Sequence, residues 1–420
     1  MSRSARGRFS RIALVFAVIL ASGAAALGSG LALGADSADT SQSGSTGISG
    51  AGSEVRQPPT AQASAAAALP LFAFYYIWFS PDSWQRAKID YPLLGDYSSS
   101  DAAVLEQQIA WAKSAGIQGW IVSWKDTALN DSRLELLMHI AAQQDFKLAM
   151  IYQGLDFNRD PLPESEVAKG FQTFESRYAP NPVFYKVGGK ALTIWSGTWG
   201  YTPAQVQAVT APVRGKLLVL NTQKSVASYD QIARYTDGDA YYWSSVNPQT
   251  DTGYSAKLKA MAAAVHGDGG YWIAPFAPGF DAKPVGGTGT VPRDDGRTLR
   301  AEYAAAIASS PDMLGLISWN EFSENSYIEP SKGYGYFYLH AVAALRYAAV
   351  PVGEQDQDSS SSSGVSDSYL PDGLVLAGVA GLFIGLIGLL AARRRRDPDR
   401  TPLPGDPSGT GSVQPPEEHR

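Results

Sequence analysis

Between residues 69 and 350, eight short apolar runs alternate with longer helical patterns, and no other feature constrains the fold as strongly. The runs are LFAFYYIWF (71–79), GWIVSW (119–124), KLAMIYQ (147–153), KALTIWS (190–196), KLLVLNT (216–222), DAYYWS (239–244), GYWIAPFA (270–277) and LGLISWN (314–320). Each is rich in β-branched or aromatic residues and apolar on both faces, as in a parallel sheet buried on two sides. Between them stand helical patterns such as DAAVLEQQIAWAKSAG (101–116), with Asp101 near its cap and Gly116 at its stop. Others are SRLELLMHIAAQQ (132–144), SAKLKAMAAAV (255–265) and TLRAEYAAAIASS (298–310). Eight strand–helix units without an interruption predict an α/β fold, a (β/α)8 barrel of ordinary size, as one domain over 69–350. A doubly wound open sheet is the rival, but no GxGxxG follows any strand. Gly188-Gly189, within VFYKVGGKALTIW (183–195), predicts a hairpin ahead of the fourth strand.

The flanks differ in composition. Arg3, Arg6, Arg8 and Arg11 precede an apolar run from Ile12 to Ala21, and Ala24 and Ala26 offer a small-x-small cleavage site. Residues 1–35 therefore read as a secretory signal peptide. Residues 36–68, rich in Ser, Gly, Ala and Thr, read as a flexible linker, and 351–369 as a serine-rich acidic stalk. Residues 373–392 hold no charge. At 1.5 Å rise per residue, such a helix spans a hydrocarbon core of about 30 Å. Arg393–Arg396 then place the tail, 393–420, in the cytoplasm. Leu370-Pro371-Asp372-Gly373 lacks the threonine of a sorting signal, so a retained anchor is expected. The chain reads as a single-pass type I protein of the cell membrane. Its barrel would be extracellular and the lipid bilayer a partner through one C-terminal helix.

Composition removes several function classes. A net charge of −6 disfavours binding to phosphate backbones, so nucleic acid is not an expected partner. The absence of cysteine excludes disulfides, Cys–zinc sites and thiol catalysis. His139, His266, His340 and His419 are scattered, Asp237-Gly238-Asp239 reads as a turn before a strand, and Gly286-Gly287-Thr288-Gly289 reads as a flexible loop over the pocket. No metal and no cofactor are expected.

In a barrel of this kind the active site lies at the C-terminal ends of the strands. Those ends are dominated by aromatics, amides and carboxylates, among them Tyr76, Trp78, Trp124, Tyr152, Tyr242 and Asn320. Such groups suit sugars, which present apolar C–H faces and many hydroxyls. Just past the last run, ISWNEFSENSYIEP (317–330) sets Glu321 and Glu324 three residues apart, a spacing that on one turn directs both into one cavity. Glycoside hydrolysis usually needs two carboxyl groups, one neutral and one ionised. The spacing alone does not decide, because surface pairs share it.

FYYIWF (74–79), PLLGDYSSSD (92–101), AGIQGWIVSWK (115–125), APGFD (277–281) and ISWNEFSENSYIEP (317–330) fall in this order along the chain. Together they resemble glycoside hydrolase family 99, the endo-α-mannosidase-type barrels. The last segment is the most specific. Asn320, Glu321, Glu324, Ile328, Glu329 and Pro330 match a family pattern of approximately N-E-W-x-E-G-T-x-I-E-P. The resemblance implies a retaining, endo-acting hydrolase of α-linked mannan- or glucan-type polysaccharide or glycan, working without metal through a 1,2-anhydro sugar. It implies Glu321 as the base on the 2-hydroxyl and Glu324 as acid and then base. Glu329 would order the following loop, and Asp281, in APGFD, would join the substrate-binding residues. Phe322 stands where the family carries Trp, and Ser323 and Asn325-Ser326 where it carries His and Gly-Thr, so the shape of the sugar subsites is expected to differ. The alternative is a non-catalytic carbohydrate-binding barrel at the cell envelope. Retention of both carboxylates favours the enzyme.

Overall fold

In a computed structural model, the structure describes residues 68–156 and 159–347. Eight strands form the barrel wall: β1 Leu71–Tyr76, β2 Gly119–Trp124, β3 Lys147–Gln153, β4 Lys190–Ser196, β5 Leu217–Leu220, β6 Gly238–Ala240, β7 Tyr271–Phe276 and β8 Met313–Leu316. Eight helices accompany them: α1 Ala102–Ser114, α2 Ala128–Gln143, α3 Glu164–Thr173, α4 Pro203–Thr210, α5 Val226–Ile232, α6 Tyr254–Gly267, α7 Arg297–Ile307 and α8 Phe337–Tyr347. The strands pair in parallel in the order β5-β4-β3-β2-β1-β8-β7-β6. A parallel bridge between Asn221 and Asp239 joins the two ends and closes the ring. The expected barrel-type architecture is therefore present.

The local signals act as their chemistry dictates. Asp101 accepts from the Ala103 amide at 3.0 Å and starts α1, and Gly116, at φ 74, stands where the chain leaves it. Thr127 caps α2 through the Asn130 amide. The short strand Lys186–Val187 folds back antiparallel on β4, with Gly188 and Gly189 at φ 57 and 81 in the turn.

The core has two main parts because every barrel strand has two buried faces. Phe72, Phe74, Ile121, Ile151, Ile194 and Ile273 fill the barrel interior. Tyr75, Trp120, Val122, Trp124 and Tyr152 face the helices instead. A third cluster, with Phe79, Trp84, Tyr97, Phe322 and Tyr327, packs the long β1–α1 connection against the segment that follows β8.

The expected signal peptide (1–35), nearly all of the linker (36–68), the stalk (351–369), the span (373–392) and the tail (393–420) lie outside the described residues. Among the described residues no helix is long and apolar enough to cross a membrane.

Candidate active site

Past β8 the chain runs from Ile317 to Pro330 over the C-terminal end of the barrel. The Ile317–Ser318 peptide is cis. Ser318 Oγ accepts from the Glu321 amide at 2.8 Å. The amides of Ile328 and Glu329 return to the Trp319 carbonyl at 3.1 and 2.9 Å. Glu321 and Glu324 ride on the loop so closed. Asn325 within it has φ 50, in the left-handed region that asparagine adopts more readily than most residues after glycine. That is how asparagine occupies a position where the family pattern carries glycine.

The two carboxyls differ in environment. Glu321 is 5% exposed and accepts from the Ser323 amide at 3.0 Å. Burial pushes its carboxyl up to about 7, against the opposing pull of the Ser323 amide and the Lys88 ammonium. Burial pushes Glu324 well above the usual carboxylate range, the charge of Glu321 pushes it further, and Arg159 opposes. Its Oε2 is buried and has no hydrogen-bond partner among the described residues, a setting that disfavours the ionised form. Both glutamates act on Tyr76 and Tyr242, whose hydroxyls lie 2.7 Å apart. One hydroxyl donates to the other, so one phenolic proton remains for a third group.

The expected site residues separate into three groups. Tyr76 and Tyr242 belong with the two glutamates, and Trp78 is half-buried with its ring 4.5 Å from that of Tyr76. Asn320 is fully buried and spends its amide on the protein, bonding both the amide and the carbonyl of Tyr76. It positions the site rather than meeting a ligand. Asp281 donates its amide to the Glu324 carbonyl at 2.7 Å, while its Oδ1 turns back to the Lys283 amide at 2.9 Å.

Trp124 and Tyr152 are corrections. Tyr76 pairs with Ser123, and Gln153 donates to Ser123 Oγ at 2.9 Å, so Ser123 and Gln153 share the face opposite to their neighbours. Trp124 points outward, bonds Asp131 through Nε1 at 3.1 Å and packs on Phe174 and Tyr178. Tyr152 packs so tightly on α3 that a Cβ at Gly170 would lie 2.3 Å from its ring.

A surrounding scaffold fixes the loop. Phe322 stacks on Tyr327 at 3.9 Å and meets Trp84 edge-on at 5.5 Å. Arg293 donates to the carbonyls of Asn325 and Tyr327 at 3.0 and 2.7 Å, with its guanidinium over the rings of Tyr327, Tyr334 and Tyr338. Glu329 receives Tyr97 Oη and Gln108 Nε2, both at 2.9 Å. It is 1% exposed and anchors the loop from behind.

Sequence reasoning missed Lys88, Arg159, Trp199 and Lys224. All four lie in the connections that follow β1, β3, β4 and β5, but each is solitary in the sequence. Among the described residues no cluster of three or more His, Asp or Glu is placed to hold a metal ion. His139, His266 and His340 lie on α2, α6 and α8.

The sequence model of Glycosyl hydrolase family 99 matches residues 80–340. A glycoprotein endo-alpha-1,2-mannosidase of Mus musculus is 24% identical over 270 residues, which span 57% of this chain and 56% of that protein. A glycoprotein endo-alpha-1,2-mannosidase-like protein of Danio rerio is 24% identical over 276 residues, spanning 59% of this chain and 61% of the relative. The chain thus covers little more than half the length of these relatives. The solved family 99 endo-alpha-mannosidase of Bacteroides thetaiotaomicron superposes with a TM-score of 0.60 at 21% identity, over 67% of this chain and 97% of that one. At that identity the likeness speaks to the fold.

Proposed function

The chain belongs to glycosyl hydrolase family 99, and we propose that it is a retaining, endo-acting hydrolase of α-linked mannan- or glucan-type glycan. The pairing of Glu321 with Glu324 carries this reading: a buried carboxyl and a half-buried one whose Oε2 is buried, of unequal proton affinity, at the C-terminal end of a barrel. Glu321, the less strongly raised, is the base, and Glu324 is the acid. Glu321 takes the proton of the sugar 2-hydroxyl as O2 closes on the anomeric carbon. Glu324 protonates the departing glycosidic oxygen. Glu324 then takes a proton from the water that opens the 1,2-anhydro ring, and Glu321 returns its proton to O2. Two inversions at one carbon give net retention.

The same reading places the barrel outside the cell, exported by residues 1–35 and held to the membrane by residues 373–392. The uncharged length of that span and the arginines after it support the anchor.

Turnover by single variants tests the assignment. Glu321→Gln and Glu324→Gln should each lose at least about 100-fold in kcat, since a positioned acid or base contributes roughly 10²–10⁴-fold. The double variant should lose far less than the product of the two. A substrate with an acidic leaving group should rescue Glu324→Gln alone, and a 2-deoxy substrate should be inert. Full activity in either Gln variant overturns the roles. An inactive native chain that still binds glycan would make it a binding barrel.

A further inference from the structure

The reacting pair is acidic, but three cationic side chains stand in or beside the connections that follow β3, β5 and β6. Arg159 lies between β3 and α3, Lys224 between β5 and α5, and Lys257 in the first turn of α6. Lys224 Nζ sits 4.0 Å over the ring of Trp199, from the β4–α4 connection. Lys257 Nζ sits 4.4 Å over Trp243 and 5.1 Å over Tyr241. All three cations are half-buried, and among the described residues none has a side-chain hydrogen bond or salt bridge.

The Asp251 carboxylate supports the Lys257 ammonium, whereas the charged groups acting on Lys224 are both cations. Burial and the repulsion of Arg159 and Lys257 all push the Lys224 ammonium toward losing its proton. Arg159 also feels Glu324, which ties the cationic group to the reacting pair. A half-buried ammonium whose charged neighbours are cations is unfavourable in isolation, and an anion bound beside it offsets the repulsion. The indole under Lys224 holds the ammonium in place without neutralising it.

We propose that Arg159, Lys224 and Lys257 form a subsite for a negatively charged substituent, a carboxylate or a phosphate, on the glycan that Glu321 and Glu324 cleave. This rests on the hydrolase reading above and narrows its substrate to acidic glycans.

The test uses the full chain and three matched α-linked manno-oligosaccharides, identical except that one residue carries a free 6-hydroxyl, a 6-carboxylate or a 6-phosphate. At low salt, kcat/KM should favour at least one anionic member over the neutral one by about tenfold or more. The advantage should shrink in 0.5 M salt, as expected of screened charges. Lys224→Met should bring the ratio toward one, and Lys224→Arg should keep most of it. Lys259→Met, which removes an exposed charge from the same helix as Lys257, should leave the ratio unchanged. The anion with the larger ratio identifies the substituent.

A ratio near one, or a ratio that survives Lys224→Met, overturns the subsite while the hydrolase reading stands. If no member is turned over, calorimetric binding of the same three probes decides. Lys224-dependent preference for an anion supports the subsite while the hydrolase reading falls. Equal or undetectable binding overturns the subsite.

Discussion

Asn320 grips the backbone of Tyr76 at two points across 244 positions of sequence: its Oδ1 accepts from the Tyr76 amide at 2.9 Å, and its Nδ2 donates to the Tyr76 carbonyl at 3.0 Å. The loop that carries the glutamates is thereby referenced to the end of the first strand. Tyr76 passes that reference on, since its hydroxyl meets Tyr242 beyond β6. Three separated stretches of chain share one geometry through a single amide side chain.

Truncating that amide should damage both fold and activity. Asn320→Ala leaves two buried backbone groups without partners, at roughly 1–3 kcal/mol each. The unfolding midpoint in denaturant should fall accordingly and kcat should fall with it. Asn320→Asp keeps the acceptor but sets a carboxyl oxygen against the Tyr76 carbonyl in a buried site, so its midpoint should also fall below that of the native chain. A native midpoint in Asn320→Ala would show that the clasp carries no energy.

The pH–rate profile should be bell-shaped, because the base must be ionised and the acid protonated. The acid limb belongs to Glu321, near pH 7, and the alkaline limb to Glu324 at higher pH. Lys88 holds the Glu321 value down. Lys88→Gln should therefore move the acid limb of kcat/KM to higher pH, and an unmoved limb would separate Lys88 from the base.

Glu329 makes a distinct claim on stability. Burial raises its carboxyl to about 8, against the two hydrogen bonds it accepts. The folded state thus holds a proton that the unfolded chain releases near the ordinary carboxylate value. Its contribution is fully present below about pH 4.3 and is lost as pH rises toward about 8, by an amount on the order of a few kcal/mol. Glu329→Gln cannot titrate, so the gap between native and variant midpoints should shift in favour of the variant over that interval. Parallel midpoints across pH 4–8 would contradict a neutral Glu329.

Trp124 and Tyr76 should fail in opposite ways. Trp124→Ala opens a cavity between sheet and helices and should cost about 3–5 kcal/mol in stability, with little change in KM for the protein that remains folded. Tyr76→Phe removes only a hydroxyl beside the glutamates, so kcat should drop while the thermal midpoint moves little. A Trp124→Ala protein of native stability and weakened glycan binding would return that indole to the site.

What the sequence disclosed and what it concealed follow from how each signal is encoded. The eight strands were legible because barrel strands bury both faces, and so read as continuous apolar runs. That same continuity concealed which residues face inward. Trp124 and Tyr152 are one position out of phase with Ser123 and Gln153, and no polar alternation marks the slip. Glu321 and Glu324 were visible because they sit in one contiguous segment. Lys88, Arg159 and Lys224 were not, because only the parallel pairing of distant strands brings the connections after β1, β3 and β5 to one end of the barrel.

The ring closure between Asn221 and Asp239 also governs how the molecule breathes. The β5–β6 joint has three backbone hydrogen bonds, Asp237 to Val219, Asn221 to Gly238 and Ala240 to Asn221, whereas β2 and β3 pair through six residues. A staved wall parts first where it is least stitched. Lys224 follows one stave of that seam and Lys257 the other, so an anion bridging the two would act as a suture, slowing amide exchange at Asn221 and Ala240 from outside the sheet.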